Sequence, residues 1–367
     1  QDHVKPELLF AGTEFGVFFT VDEGKKWTKL KSGIPTIAAR DLDIQRREND
    51  LAVATFGRSF YILDDYTPLR QLDESMLDQE AHIFPVKKSW MYIQARPFSG
   101  NDKAYQGASF FTAPNPPFGA TFTFYMKKSL KTQKSERQSK DRSLAKQGKD
   151  VPYPSWEDLK AEDREESPSA FLTIRDSDGQ VVRHIPTAPS QGMYRVTWNL
   201  RYPGYGPLQM SGSGYGPLAM PGKYTVSLST RVEDEVTELA GPTEFEVEPL
   251  GFASMSDKER QASLAFQKKT GELQRAVMGA YRVAQEANEQ LSYMKRATEV
   301  VPGIDAKLRQ EARNLELRML DMMERFSGDP TKPRRNEPAP PGILSRVQTI
   351  TYGHWSTTQA PTNTHRK

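Results

Sequence analysis

"LFAGTEFGVFFTVDEGKKW", residues 9–27, decides how the first part of the chain is read, and "LAVATFGRSFYI", residues 51–62, is its partial echo. Both run from small or β-branched residues through Phe-Gly into aromatics. Phe15-Gly16 and Phe56-Gly57 stand 41 positions apart. A period of roughly 40–45 in strand-rich sequence is the spacing of one propeller blade per repeat. The first copy runs on into "TVDEGKKW", where Thr20, Asp22, Gly24 and Trp27 fit S/T-x-D-x-G-x-x-W. This is a hairpin tip in residue types. Asp22 can accept hydrogen bonds from following amides, Gly24 can take a positive φ, and Trp27 can pack its ring beneath the turn.

The Thr20, Asp22, Gly24, Trp27 pattern resembles the Asp-box, or BNR repeat, of sialidases, xyloglucanase-type glycoside hydrolases and the sortilin-type receptor propeller. "RDLDIQRRENDLAVATFGRSFYILDDYTPLR", residues 40–70, looks like the closing blade of bacterial sortilin-type (VPS10-like) propeller proteins often labelled glycosyl hydrolases. The resemblance implies that residues 1–68 are the last blades of an incomplete β-propeller, with a β-sandwich and a helical segment to follow. Where a second Asp-box belongs, the sequence reads "ILDDYTPL", with no Gly two residues after Asp64 and no Trp. That suits a final blade. One and a half blades cannot close a ring of roughly 4–8, so the remainder is expected upstream of Gln1, together with any signal peptide.

Residues 69–106 read as a linker. From 107 to 250, period-two runs such as "ATFTFYM", "FLTIRD", "QVVRHI", "MYRVTWNL", "KYTVSLST" and "TEFEVEP" predict a sandwich like immunoglobulin or fibronectin III modules. Tyr194, Val196, Trp198 and Leu200 alternate and are expected on one core face. A charged insertion at 127–169 interrupts the sandwich: nine Lys or Arg over 127–149 precede six Asp or Glu over 151–166. Few apolar residues accompany them, which predicts a solvated, mobile segment in which the two blocks neutralise each other. A second loop duplicates itself, "GYGPLQM" at 204–210 and "GYGPLAM" at 214–220. Tyr205 and Tyr215 are candidate ligand contacts, able to stack on a sugar ring or partner surface; the alternative is that they fold back over the sandwich.

Beyond Pro249 the period lengthens. Leu273, Val277, Ala280, Ala284, Ala287, Leu291 and Met294 recur at alternating spacings of four and three, and so do Leu308, Ala312, Leu315, Met319, Met322 and Phe326. An antiparallel α-helical hairpin over 256–330, broken at Pro302-Gly303, accounts for both seams. Ser256 and Glu259 form its capping box. Residues 331–367 read as an extended tail. The fold class expected is therefore mainly β with a helical segment.

Composition narrows the chemistry. The absence of cysteine removes disulfides, thiolate metal sites and cysteine nucleophiles. A net charge of +3 across 367 residues gives no reason to expect nucleic acid, and no apolar run is long enough to span a membrane. His3, His82, His184, His354 and His365 are scattered, so no metal site and no cofactor are expected. No nucleophile elbow, phosphate loop or dinucleotide fingerprint occurs. Asp64 and Asp65 are adjacent, which in a strand sends their side chains to opposite faces and disfavours them as an acid and nucleophile pair. No catalytic residue is expected here. The reading is a non-catalytic, extracytoplasmic binding or scaffold protein, the location implied by the family resemblance alone. Its partner would be a protein or glycan at the propeller face. The alternative is a sialidase- or xyloglucanase-like glycoside hydrolase whose carboxyls lie in upstream blades.

Overall fold

The computed structural model describes residues 1–94, 107, 109, 112–208, 214–251 and 255–366. The chain is mainly β with a helical C-terminal segment, and its Cα packing divides it into two units. The first takes residues 1–90, 101–199 and 222–247; the second takes 91–100, 200–221 and 248–367.

The first unit opens with two three-stranded antiparallel sheets. β1 (Leu9–Thr13), β2 (Gly16–Thr20) and β3 (Thr28–Lys29) form one; β4 (Ala39–Gln45), β5 (Asp50–Thr55) and β6 (Phe60–Leu63) form the other. The Phe-Gly repeat is thus a repeated hairpin, β1–β2 and β5–β6. Both sheets feed one apolar cluster of Leu8, Val17, Phe19, Leu51, Val53 and Tyr66. Gly12 permits close approach of the sheets, since a Cβ there would stand 3.1 Å from the Cβ and carbonyl oxygen of Ala39. A buried polar knot ties the start of the chain to the segment after β6. Arg70 grips the Asp2 carboxylate with Nε and Nη2, each at 2.8 Å, and the Tyr66 hydroxyl donates to it at 2.6 Å.

Two further sheets face each other. A five-stranded sheet has the order β11 (Val181–Thr187), β10 (Ser169–Asp176), β15 (Gly222–Val232), β16 (Glu235–Pro249), β8 (Ser89–Met91). A three-stranded one runs β12 (Gly192–Trp198), β9 (Ala120–Met126), β7 (Ala81–Ile83). Aromatics from both meet between them: Phe122 on Phe245 at 5.2 Å and Trp198 on Tyr224 at 5.3 Å between ring centroids. Of the four residues expected on one core face, Trp198 and Leu200 are buried and Tyr194 and Val196 half-buried, and Leu200 lies beyond the end of β12 at φ +55°. The segment read as a linker supplies β7 and β8, one edge strand to each sheet, preceded by the short α1 (Glu74–Asp78); its residues 95–106 lie outside the described ones. Three-residue strands flanked by charge carry too little periodicity to be read from sequence.

The insertion at 127–169, expected to be a mobile charged segment, holds two helices, α2 (Gln133–Lys146) and α3 (Trp156–Arg164). Thr132 and Ser155 cap them through the amides of Ser135 and Asp158. The basic and acidic blocks meet: Arg137 forks onto Glu162 at 2.5 and 2.7 Å, and Lys134 pairs with Asp163 at 3.2 Å. Composition predicted little burial, and α2 buries no residue while α3 buries only Glu162. The helices themselves carry no apolar signal; their caps and complementary charges are what hold them together.

In the second unit α4 (Asp257–Val300) and α5 (Ala306–Ser327) run antiparallel, with Lys295 paired to Glu316 near the turn and Tyr281 against Phe326 far from it. Ala284, Leu291 and Ala312 are buried in the seam. The tail is not extended throughout. α6 (Ile343–Trp355) packs on α4 through Val347, Thr351, His354 and Trp355, and α7 (Asn363–Arg366) follows. α6 begins at Ile343 with Gly342 at its N-cap, directly after Pro340 and Pro341, and buries four residues. β13 (Arg201–Pro203) and β14 (Tyr215–Leu218) pair as a short ribbon.

Candidate functional site

Thr20, Asp22, Gly24 and Trp27, read from the sequence as an Asp-box, lie in one turn between β2 and β3. Thr20 Oγ1 donates to Asp22 Oδ1 at 2.6 Å, the Gly24 amide donates to Thr20 Oγ1 at 3.1 Å, and the Lys26 amide to Asp22 Oδ1 at 3.0 Å. Those bonds from Thr20 and Lys26 hold the Asp22 carboxyl below its ordinary pKa. Gly24 has φ +93°, the left-handed region that the turn demands. Trp27 lies against it, its Nε1 and Cζ2 each 3.7 Å from where a Gly24 Cβ would be, but the ring is 42% exposed rather than fully covered.

The repeated hairpins bring together residues whose second role the sequence did not reveal. Phe15 and Phe56 cap the tips after β1 and β5, and both are two-thirds exposed. The tips sit at one end of the sheet pair. The Phe56 amide donates to the Ala38 carbonyl, Gly12 touches Ala39, and Arg40 both pairs with Glu14 at 3.2 Å and lies 5.0 Å from the centre of the Phe56 ring. Glu14, Phe15, Arg40 and Phe56 therefore make one ridge. Phe-Gly, read from sequence as a mark of the repeat, is also its signal: an aromatic before a positive-φ glycine is pushed outward at the turn.

Asp64 and Asp65 follow β6. Asp65 is used up in its own turn, its Oδ1 accepting from the Thr67 amide at 3.2 Å and hydroxyl at 2.6 Å. Its amide donates to Asp50 Oδ1 at 2.8 Å. Burial, and then the negative charge of Asp50, push the Asp64 carboxyl up, against the pull of Arg195 and Lys87. Arg195 donates to the carbonyls of Asp64 and Asp65 at 2.6 and 2.7 Å.

The two candidate tyrosines have separate fates. Tyr205 is not an open platform: it is half-buried on α4, with Arg275 over its ring at 5.2 Å and Trp355 at 6.0 Å between ring centroids. Gly271 makes that seat, since a Cβ there would stand 2.5 Å from the ring. Tyr215 lies in β14 and is 76% exposed. The duplicated heptapeptides thus take two conformations, and residues 209 and 210 of the first lie outside the described ones. Among the described residues no group of three or more His, Asp or Glu is placed to hold a metal ion.

No family model matches the chain, and no curated protein does. Solved structures that it resembles include PorZ, an essential surface component of the type-IX secretion system of Porphyromonas gingivalis, at 10% identity and a TM-score of 0.17 over 67% of this chain and 29% of that one. Another is the BSP domain of a biofilm-associated protein, at 8% identity and a TM-score of 0.18 over 67% of this chain and 30% of that one. The match spans under a third of either structure, and likeness at these TM-scores carries no argument. No helix among the described residues is long and apolar enough to cross a membrane.

Proposed function

We propose that the chain belongs to a non-catalytic, extracytoplasmic binding or scaffold protein in which the β1–β6 sheets are the last blades of a sortilin-type Asp-box propeller. The observation that carries this reading is the Glu14, Phe15, Arg40, Phe56 ridge: exposed aromatics, one per repeat, with Arg40 joining the Glu14 carboxylate next to Phe15 to the Phe56 ring. Exposed aromatic anchors beside Arg are the residue types that dominate recognition surfaces. The Asp-box itself is spent on its own turn and serves the fold. Tyr215 remains a candidate contact in the second unit; Tyr205 is assigned to packing. The partner is a protein or glycan. The test is capture of a panel of surface glycans and envelope proteins by the full-length protein, compared with Phe15→Ser/Phe56→Ser. Retained capture by the double variant sinks the ridge as the recognition surface.

One observation favours the glycoside hydrolase alternative. Asp64, its carboxyl raised by burial and by Asp50, resembles half of an acid pair whose titrations have been pushed apart. Hydrolysis of sialosides or β-glucans by full-length protein, lost in Asp64→Asn with the fold retained, would establish that reading over the first.

A further inference from the structure

The helical arm formed by α2 and α3 leaves charge unspent. Gln133 meets Glu165, and Lys134 and Arg137 meet Asp163 and Glu162, so the start of α2 lies against the end of α3. The opposite end, residues 146–156, is the tip. Along the approach to it Lys140, Arg142, Lys146 and Lys149 are exposed and have no ion-pair partner among the described residues. Arg142 and Lys146, four apart, share the face turned away from the residues that meet α3. At the tip stand three exposed apolar side chains, Val151 at 44%, Tyr153 at 78% and Trp156 at 70%. The acidic groups there are Asp150, Glu157 and Asp158, the last bound to the Ser155 cap.

We infer that this arm is a peripheral contact for an anionic lipid bilayer, with Val151, Tyr153 and Trp156 entering the headgroup region and the α2 basic face lying against lipid phosphates. Trp and Tyr partition to the membrane interface because they combine an apolar ring with a polar handle, and a basic column behind them is drawn to an anionic surface. The ring geometry favours lipid over sugar. Tyr153 and Trp156 pack edge to face, 6.3 Å apart at 69°, so they present no common plane on which successive sugar rings could stack. An aliphatic tip residue such as Val151 gains from immersion and offers a glycan no hydrogen bond. No buried core is disturbed, because α2 and α3 cover almost nothing.

The experiment is co-flotation of the full chain with vesicles of phosphatidylcholine alone or with phosphatidylglycerol, at low and high salt. Partitioning should rise about tenfold or more with anionic lipid and fall steeply with salt. Lys140→Gln/Arg142→Gln/Lys146→Gln should abolish that rise, and Val151→Ser/Tyr153→Ser/Trp156→Ser should lower binding about tenfold while circular dichroism is unchanged. Brominated lipid should quench tryptophan emission in the native chain, and that quenching should be lost in Trp156→Phe. Equal partitioning onto neutral and anionic vesicles would overturn the proposal. So would tight binding to dextran sulfate with no vesicle binding, which would assign the basic face to a soluble polyanion instead.

Discussion

Two arginine forks in the first unit make nearly the same bonds and differ in what surrounds them. Arg70 grips Asp2, whose side chain has no exposure, beside an apolar cluster that includes Tyr66 and Leu8. Arg137 grips Glu162, whose side chain is 5% exposed, on a helix pair that buries nothing else. Glu162 is covered by its partner, Asp2 by a core. The difference teaches that the cost of breaking a charge pair follows the medium left behind more than the bonds themselves: stranding a buried charge is expensive, whereas water replaces a lost partner at a surface.

The largest effect should come from the buried fork. Asp2→Ala leaves the Arg70 guanidinium, 17% exposed, without its carboxylate partner and with Asn49 Oδ1 as a neutral acceptor, and should cost about 3 kcal/mol in denaturant unfolding of the first unit. Burial alone would raise the Asp2 carboxyl, but hydrogen bonds from Arg70, Tyr66 and the Lys5 amide and the charge of Arg70 hold it well below the usual carboxylate range. The unfolded chain therefore takes up the proton first. Stability from this group is present above pH about 4 and lost as pH falls below it, and Asp2→Asn should flatten that acid limb. An unchanged acid limb would break the comparison at its root.

Next comes a contact that depends on shape alone. Alanine in place of a helical glycine ordinarily stabilises by about 1 kcal/mol. Gly279→Ala, with nothing within 4 Å of the new Cβ, should show that gain. Gly271→Ala should reverse it, because the Cβ would stand 2.5 Å from the Tyr205 ring; overpacking there should cost about 1–2 kcal/mol net. Opposite signs at two glycines of α4, read by thermal unfolding, test whether Tyr205 is a packing residue or a free contact.

That glycine pair also marks the limit of what sequence discloses here. The turn through Thr20 and Asp22, the hairpins and the α4 and α5 seams were legible because each rests on neighbours within a few residues or on a period repeated over several turns. The seat of Tyr205 on Gly271 joins residues 66 positions apart, and nothing local announces it. α6 was hidden by the prolines before it and by a buried face containing Thr351 and His354, polar types that do not count toward an apolar stripe. The helices of the arm were not legible because low hydrophobicity signals the absence of a core and says nothing of helix. As for the ridge, its phenylalanines were visible in the sequence, while the arginine that joins Glu14 to the Phe56 ring was not.

His354 sharpens the comparison from the other side, as a covered group with no charge partner. It has no exposure, its ring nitrogens have no hydrogen-bond partner among the described residues, and its neighbours include the rings of Phe266 and His365. Burial, and then repulsion from His365, lower its pKa, so the imidazole is neutral in the fold and the unfolded chain protonates first. Stability should decline as pH drops below about 6.5. His354→Phe should remove the acid sensitivity of amide exchange along α6. Trp27 is intermediate: with its ring 42% exposed, Trp27→Ala should cost about 1–2 kcal/mol, below the roughly 3–5 of a fully buried ring.

The smallest effect is expected where the bonds look strongest. Glu162→Gln removes one charge from the surface fork, but Arg137 keeps Asp141 at 3.1 Å and has water at hand. The Arg137 hydrogen bonds hold the Glu162 carboxyl below its ordinary range, so the native pairing persists until acid. Global unfolding of the first unit should not move. Amide exchange confined to α2 and α3 should quicken, and more so at low salt than at high, because salt already screens the native pair. A loss of global stability comparable with Asp2→Ala would show that the arm is bound into the core after all. It would also remove the reason for treating its basic face as available to a partner.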